Sequence, residues 1–120
     1  MKVLVVDDEP LITKMLARFA RMRGHEATVA SDGQEAWELF SSDPEQWAVM
    51  ITDILMPRMN GVELVERIRS SGSDIPVVFI SAHGQVPDVE ALSPATFLPK
   101  PFRRAELLEA LEASAPRRGP

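Results

Sequence analysis

Short apolar segments alternate along this chain with longer amphipathic ones, and this alternation constrains the fold more than any other feature. Strands are predicted for the apolar segments at residues 2–6, 26–30, 48–52, 76–80 and 95–98. The first and fourth are apolar on successive residues, which indicates strands covered on both faces. Apolar residues at helical spacing occupy the intervals between strands. Five strands alternating with five helices predict right-handed crossovers and one parallel sheet between two helical layers.

Residues that begin and end helices agree with this pattern. Asp32 is placed to cap the second helix, and Glu35 three residues later is typical of a capping box. Asn60 precedes the third helix. Gly24 and Gly72 follow the ends of the first and third helices, where glycine is favoured.

Composition restricts the chain to one domain of ordinary soluble character. Of its 120 residues, 45% are apolar and none is cysteine, which excludes disulfides and zinc-thiolate sites. No apolar run approaches the length of a membrane span, so we expect a cytoplasmic protein that does not contact a membrane. The net charge of -5 disfavours direct binding of nucleic acid. We predict one domain at residues 1–114 and a disordered tail or linker stub at 115–120.

Polar side chains follow four of the five predicted strands. Asp7 and Asp8 come directly after the first strand, Asp53 closes the third, Ser81 closes the fourth and Lys100 follows the fifth. Ligands of open α/β sheets bind outside the carboxyl ends of the strands, so these groups are expected to converge. Each feature alone is more often a helix cap, a solvated loop or a surface lysine, and only their joint placement favours a site.

The residue types in this cluster indicate phosphoryl chemistry that depends on a metal. Neighbouring carboxylates repel one another unless a hard cation joins them, and Mg²⁺ prefers oxygen ligands of this kind. A carboxylate can also act as a nucleophile and form an aspartyl phosphate. Cations around the equatorial oxygens then stabilise the transferring group, and Mg²⁺ with Lys100 could supply these charges.

Four motifs in this order resemble those of response-regulator receiver domains over residues 2–113. They are Val-Val-Asp7-Asp8-Glu9-Pro, Thr52-Asp53-Ile-Leu-Met56-Pro57-Arg-Met59-Asn-Gly61, Ile-Ser81-Ala82 and Phe97-Leu-Pro-Lys100-Pro101-Phe102. The resemblance implies a flavodoxin-like (βα)5 three-layer sandwich with sheet order 2-1-3-4-5. It also implies a phosphoacceptor domain of a two-component phosphorelay, which receives a phosphoryl group from a histidine kinase or a histidine phosphotransfer domain.

The resemblance assigns a role to each matching residue. Asp53 would be the phosphoacceptor. Asp8 would bind Mg²⁺ directly, Asp7 would bind it mainly through water, and the backbone carbonyl of Leu55 would complete the protein ligands. Lys100 would pair with the phosphoryl oxygens.

The same resemblance implies a conformational switch at Ser81 and Phe97. The Ser81 hydroxyl would move toward the phosphoryl group and the Phe97 ring would turn inward behind it, although Phe97 could instead be a static core aromatic. Pro57 and Gly61 would shape the loop after Asp53, and the peptide bond before Pro101 would be cis.

The segment between Ser81 and Lys100 departs from the family pattern, since it is shorter by roughly one helical turn. Pro87 and Pro94 bracket the residues that could be helical, and Asp88 would lie at the positive end of that helix. We therefore expect a shortened fourth helix of one or two turns, or an irregular segment. Because this face often carries dimerisation in the family, we expect a monomer or a weak phosphorylation-dependent dimer.

Two variable positions bear on the lifetime of the phosphoryl group. Leu55 lies two residues after Asp53, and His83 lies two residues after Ser81. In the family such positions flank the path of the hydrolytic water. An apolar Leu55 cannot orient a water molecule, so slow loss of phosphate is predicted. His83 would offset this by hydrogen bonding, unless it is simply an exposed loop residue.

Other functions remain open at this point. The shortened form resembles receivers of hybrid sensor kinases, which would make the domain a phosphate shuttle or sink. An aspartyl-phosphate phosphatase would need an acid two residues after the nucleophile, where Leu55 stands. A degenerate receiver that only binds a partner is disfavoured because every acceptor-site residue is present. We therefore expect a signalling domain, not an enzyme, that catalyses its own phosphotransfer and autodephosphorylation.

Overall fold

The apolar segments of the chain form one sheet of five parallel strands. In the computed structural model, which describes residues 1–82 and 86–114, the strands are β1 (Lys2–Val6), β2 (Glu26–Ala30), β3 (Val49–Asp53), β4 (Val77–Ser81) and β5 (Ala95–Pro99). Their order is β2-β1-β3-β4-β5, as the resemblance implies. The strands β1, β3 and β4 are buried along nearly their whole length because helices cover both faces of the sheet.

Four α-helices form the outer layers in the described part of the chain. They are α1 (Pro10–Met22), α2 (Gly33–Ser42), α3 (Gly61–Ser70) and α4 (Arg104–Ser114), and a short 3-10 turn spans Pro44–Gln46. Alternate strand residues point to opposite faces. Thus Val3 and Val5 lie in a core with α1 and α4, whereas Leu4 and Val6 lie in a core with α2 and α3. The predicted three-layer sandwich is confirmed.

Most predicted ends of strands and helices agree with the structure to within one residue. Strands β3 and β4 each run one residue later than predicted, so Asp53 and Ser81 are the last residues of their strands. Gly24 and Gly72 follow α1 and α3 with φ angles of 82° and 96°, a region that glycine adopts without steric cost. The capping box of α3 is complete: Glu63 N–H donates to Asn60 Oδ1 at 2.8 Å, and Asn60 N–H donates to Glu63 Oε1 at 3.0 Å.

The prediction of five helices is wrong for the described residues, because a single turn replaces the expected fourth helix. Leu92 N–H donates to the Asp88 carbonyl at 3.2 Å, and Ala91 N–H donates to Asp88 Oδ1 at 3.1 Å. Asp88 thus caps one turn instead of a helix. Proline lacks an N–H donor and disfavours helical geometry in the residue before it, so Pro94 ends the turn. The segment in which a shortened fourth helix or an irregular segment was expected is therefore irregular, apart from this one turn.

The side chain of Arg69 holds this turn against the end of α3. Its Nε donates to the Leu92 carbonyl, its Nη1 to the Ser73 carbonyl and its Nη2 to the Pro94 carbonyl, each at 3.1 Å. The Leu92 side chain is buried in the core with α2 and α3. A guanidinium has planar, divergent N–H donors, so it can hydrogen-bond to several backbone carbonyls at once. In a helix, such carbonyls would accept from backbone N–H groups of the helix itself.

Three further expectations concern the chain outside the sheet. No helix among the described residues is long and apolar enough to cross a membrane. Helix α4 ends at Ser114, and the predicted tail at 115–120 lies outside the described residues. The peptide bond between Lys100 and Pro101 is cis, as the resemblance implies, and so is the bond between Ser93 and Pro94.

Candidate functional site

The carboxyl ends of β1, β3 and β5 bring the predicted charged residues together. One carboxylate oxygen from each of Asp7, Asp8 and Asp53 lies within 4.8 Å of the others. Lys100 reaches this cluster from the end of β5, and its Nζ lies 3.4 Å from Asp7 Oδ2 and 3.5 Å from Asp53 Oδ2. The convergence predicted from the strand ends is therefore present.

Backbone hydrogen bonds orient the groups of this cluster. Asp7 Oδ1 accepts from the Glu9 N–H at 2.9 Å, which directs Oδ2 toward Lys100. Asp53 Oδ1 accepts from the Ile54 N–H at 2.8 Å, and its Oδ2 likewise faces Lys100. The Lys100 N–H donates to the Ser81 carbonyl at 2.7 Å, so the lysine is anchored beside the end of β4.

Burial makes the carboxylates of this site costly to ionise. It raises the pKa of Asp7 to about 6, an effect that Asp53 reinforces and that the Glu9 N–H and Lys100 oppose. Burial also raises the pKa of Asp53, with a further contribution from Asp8, while Lys100 and the Ile54 N–H lower it. The negative charge is thus only partly neutralised by the lysine, and a further cation would stabilise the ionised forms.

The donor set fits Mg²⁺. All three side chains offer carboxylate oxygen, Asp8 is exposed, and Asp7 and Asp53 are buried. Mg²⁺ binds through one or two carboxylates while keeping several waters, and the exposed side of the cluster leaves space for these. Asp7, Asp8 and Asp53 are the residues that would hold the ion. Its charge would offset the cost of ionising the two buried acids and the smaller repulsion between the carboxylates.

Ser81 and Phe97, the two predicted switch residues, lie on neighbouring strands. Ser81 is 1% exposed, and its Oγ has no hydrogen-bond partner among residues 1–82 and 86–114. A buried hydroxyl without a partner is costly and marks a group available to a ligand. The Phe97 ring is half-buried and packs against the core with α2 and α3. Its movement stays a prediction.

The loop after β3 approaches the site closely at Gly61. A Cβ atom on Gly61 would lie 2.0 Å from the Asp53 carbonyl oxygen, and the Gly61 N–H donates to the Ile54 carbonyl at 2.8 Å. Any side chain at this position would push α3 away from β3. Leu55 is 58% exposed in this loop. His83, the other predicted lifetime residue, lies outside the described residues.

Sequence reasoning missed the contact between Arg58 and Asp32. Asp32 was expected only as the cap of α2, and its Oδ1 does accept from the Glu35 N–H at 2.8 Å. Its Oδ2 accepts from Arg58 Nη2, which belongs to the loop after Asp53. The two residues are 26 positions apart, and no local motif signals their pairing.

Known proteins are similar to this chain in sequence. The family model of the response regulator receiver domain matches residues 3–112. Response regulator MprA of Mycolicibacterium vanbaalenii is 36% identical over 93% of this chain and 49% of its own length. MprA of Mycobacterium avium is 34% identical over 94% of this chain and 50% of its own length. The chain therefore spans about half the length of these curated relatives.

Solved structures agree with the sequence comparison. The receiver domain of the hybrid histidine kinase CckA superposes with a TM-score of 0.82 at 30% identity, covering 95% of this chain and 98% of the other. The CheX–CheY–BeF3–Mg²⁺ complex of Borrelia burgdorferi contains a chain that superposes with a TM-score of 0.85 at 29% identity, covering 94% and 87%. The chain belongs to the response regulator receiver domains of two-component signalling.

Proposed function

We propose that Asp53 accepts a phosphoryl group from a phosphohistidine, in a reaction that requires Mg²⁺ held by Asp7, Asp8, Asp53 and the Leu55 carbonyl. The observation that carries this proposal is the position of Lys100 Nζ, which lies 3.4 Å and 3.5 Å from the carboxylates of Asp7 and Asp53. A nucleophilic carboxylate, a cation that contacts it and an oxygen-rich metal site are the parts that aspartyl phosphorylation needs.

The transfer exchanges one bond at phosphorus for another. An oxygen of Asp53 forms a bond to phosphorus, the phosphorus–nitrogen bond of the phosphohistidine breaks, and the donor imidazole leaves with the electron pair. Only the ionised carboxylate is a nucleophile, and Lys100 favours this form against the effect of burial. Mg²⁺, when bound, would lower the charge on the phosphoryl oxygens and favour the ionised carboxylates.

Two groups of the chain would hold the product. The ammonium of Lys100, which already faces Asp53, would pair with a phosphoryl oxygen. The pKa of Lys100, lowered by burial but raised more strongly by Asp7 and Asp53, keeps this group charged. The unpartnered Ser81 hydroxyl would donate to another phosphoryl oxygen, with Phe97 following it inward. The site would later lose its phosphate when water attacks phosphorus: the bond between phosphorus and the Asp53 oxygen breaks, inorganic phosphate leaves and the carboxylate is restored.

An apolar hollow beside Lys100 suits a protein donor. A cavity of about 430 Å³ opens beside Lys100, the residue that contacts Asp7 and Asp53. It is lined by Ile12, Met15, Ala82, Lys100, Pro101 and Phe102. Leu11, on the first turn of α1, is 80% exposed at the same end of the molecule. Exposed apolar surface of this kind indicates a protein partner. We infer that a histidine kinase or a histidine phosphotransfer domain contacts this region, and that the domain binds no nucleic acid.

The place of this domain in a larger protein is a separate question. We propose residues 1–114 as the receiver domain. The turn at residues 88–92 presents no helix for a dimer through this face, so the domain is expected to be a monomer or a weak phosphorylation-dependent dimer. The likeness to the CckA receiver supports the alternative of a hybrid-kinase module that stores or passes on phosphate. Determining the length of the full gene would distinguish these arrangements.

Phosphorylation by a small donor tests the proposal. The protein would be incubated with Mg²⁺ and acetyl phosphate, and its intact mass would be measured with Asp53→Ala as the matched variant. We expect one phosphoryl adduct on the wild-type chain, removable by hydroxylamine as an acyl phosphate is, and none on Asp53→Ala. Chelating Mg²⁺ should abolish the adduct. An adduct of equal size on Asp53→Ala would show that the acceptor is another residue.

A further inference from the structure

The loop between β3 and α3, residues 54–60, is fastened to the first turn of α2 at two adjacent points. We call this segment the acceptor loop. The first point is the ion pair of Arg58 with Asp32. The second is a close backbone approach of Met59 to Gly33. The acceptor cluster, which consists of Asp7, Asp8 and Asp53, contains no residue of α2, so these contacts are separate from the cluster itself.

The Arg58–Asp32 pair joins an exposed side chain to a buried one. The Asp32 side chain is 4% exposed and the Arg58 side chain is 71% exposed. Burial raises the pKa of Asp32, but the Glu35 N–H and Arg58 together outweigh that effect and lower it. Asp32 is therefore a fixed, ionised anchor whose other oxygen already caps α2. Such a group can hold a loop in place more firmly than a pair between two flexible surface side chains.

The backbone of Arg58 has an uncommon conformation at the residue that forms the ion pair. Its φ angle is 68°, which is the left-handed region, and it is the one non-glycine residue with positive φ among residues 1–82 and 86–114. Arginine has no local preference for that region. Within the loop, the Met59 N–H donates to the Pro57 carbonyl at 2.8 Å and closes a tight turn around Arg58. The ion pair with Asp32 adds a contact from outside the loop at the same residue.

The contact with Gly33 leaves no space for the loop to shift toward α2. A Cβ atom on Gly33 would lie 2.2 Å from the Met59 carbonyl oxygen, closer than any ordinary contact. The far end of the loop is fixed in the same manner, because a Cβ on Gly61 would lie 2.0 Å from the Asp53 carbonyl. The acceptor loop, which includes Leu55, is therefore held by α2 at Arg58 and Met59, and by β3 at Gly61, where α3 begins.

We propose that Arg58 is a positioning residue for Mg²⁺: through its ion pair with Asp32 it holds the acceptor loop in the conformation in which Leu55 can offer its carbonyl to the metal. The inference rests on the proposed function, in which that carbonyl is a ligand. A loop released from α2 would have to be ordered again each time the metal binds, and this cost would appear as weaker affinity.

Isothermal titration with MgCl₂ tests the role of Arg58. We expect Arg58→Ala to weaken Mg²⁺ binding by about five-fold and Arg58→Lys to recover part of the loss. Asp32→Asn keeps an oxygen that caps α2 but removes the charge, so it should weaken binding to a similar degree. The double variant should bind no more weakly than Arg58→Ala alone, because both changes break one contact. Arg18→Ala, which removes an exposed arginine from α1, is the charge-matched control.

Phosphorylation kinetics separate positioning from general damage. With acetyl phosphate as donor, Arg58→Ala should require about five times more Mg²⁺ for half-maximal rate, and its rate at saturating Mg²⁺ should match the wild type. Thermal unfolding without metal checks that each variant is folded, and Arg58→Lys remains informative if Arg58→Ala is not. Equal Mg²⁺ affinity of wild type and both Arg58 variants would refute the proposal while leaving the proposed function intact. Failure of the wild type to bind Mg²⁺ would refute both.

Discussion

Arg69 provides a sharp test of how this chain compensates for the missing helix between β4 and β5. Its guanidinium donates to the carbonyls of Ser73, Leu92 and Pro94, each at 3.1 Å. The Arg69→Ala substitution removes all three hydrogen bonds and the charge, but it keeps a residue that favours helix within α3. We expect the turn at residues 88–92 to detach from α3, with Leu92 losing part of its burial.

The magnitude follows from the number and exposure of these bonds. A hydrogen bond from a charged donor contributes about 1.5–3 kcal/mol when it is buried. Arg69 is partly exposed, and water can reach the released carbonyls, so the free energy of unfolding should fall by about 2 kcal/mol in total. Unfolding entropies near 2.1 cal/mol/K per residue give about 250 cal/mol/K for 120 residues. The melting temperature should therefore fall by about 8 °C.

Two measurements together decide whether this reasoning holds. Differential scanning calorimetry gives the melting temperature, and hydrogen exchange reports the opening of the amides of Ala91 and Leu92, which the turn protects. Arg18→Ala, at an exposed position of α1, should change the stability by less than about 0.5 kcal/mol. A melting temperature of Arg69→Ala within about 2 °C of the wild type, or faster exchange spread evenly over the sheet, would refute the assigned role.

Three further substitutions have defined outcomes. Gly61→Ala should lower the free energy of unfolding by about 3 kcal/mol in urea titrations and reduce phosphorylation, because its Cβ would meet the Asp53 carbonyl. Asp7→Asn should stabilise the metal-free protein by on the order of 2 kcal/mol at pH 8, as measured by thermal unfolding. The substitution removes the cost of ionising a buried carboxylate, since burial raises the pKa of Asp7 from 3.8 to about 6. This cost is absent at low pH, where Asp7 is protonated, and it is fully present above the raised pKa. Leu55→Asn should speed the loss of phosphate in a mass-spectrometric time course, and an unchanged rate would count against the role given to Leu55.

The positions of the charged residues in the candidate site could be predicted from the sequence because they depend on strand ends alone. Parallel strands place their carboxyl ends at one edge of the sheet, so residues after apolar runs must meet there. Errors of one residue in the bounds of β3 and β4 did not disturb this prediction, since Asp53 and Ser81 remain at the edge in either case. The pairing of Asp7 and Asp53 with Lys100 follows from the same geometry.

Contacts that depend on how loops pack against helices could not be predicted in this way. Nothing near Arg58 indicates that its partner is Asp32, because the pair forms only after the sheet has brought α2 beside the loop. The same holds for Gly33, the first residue of α2, for which the sequence predicts no contact. Its lack of a side chain matters because the Met59 backbone occupies that space. A local sequence pattern predicts the backbone conformation of one helix, strand or loop. These contacts instead join two such elements that are distant in the sequence.

The two arginines near the end of α3 form contacts that the local sequence does not predict. Arg67 and Arg69 are separated by one residue, and both lie in the last turn of the helix, where either would favour the helix dipole. Arg67 stacks over the Trp37 ring of α2, with its guanidinium carbon 4.4 Å from the ring centroid. Arg69 turns instead toward the carbonyls of Leu92 and Pro94. A segment too short to form a helix cannot satisfy its own carbonyls, so it requires donors from a neighbour. Which arginine supplies them is decided by the elements on either side of α3, and this information is absent from the helix sequence itself.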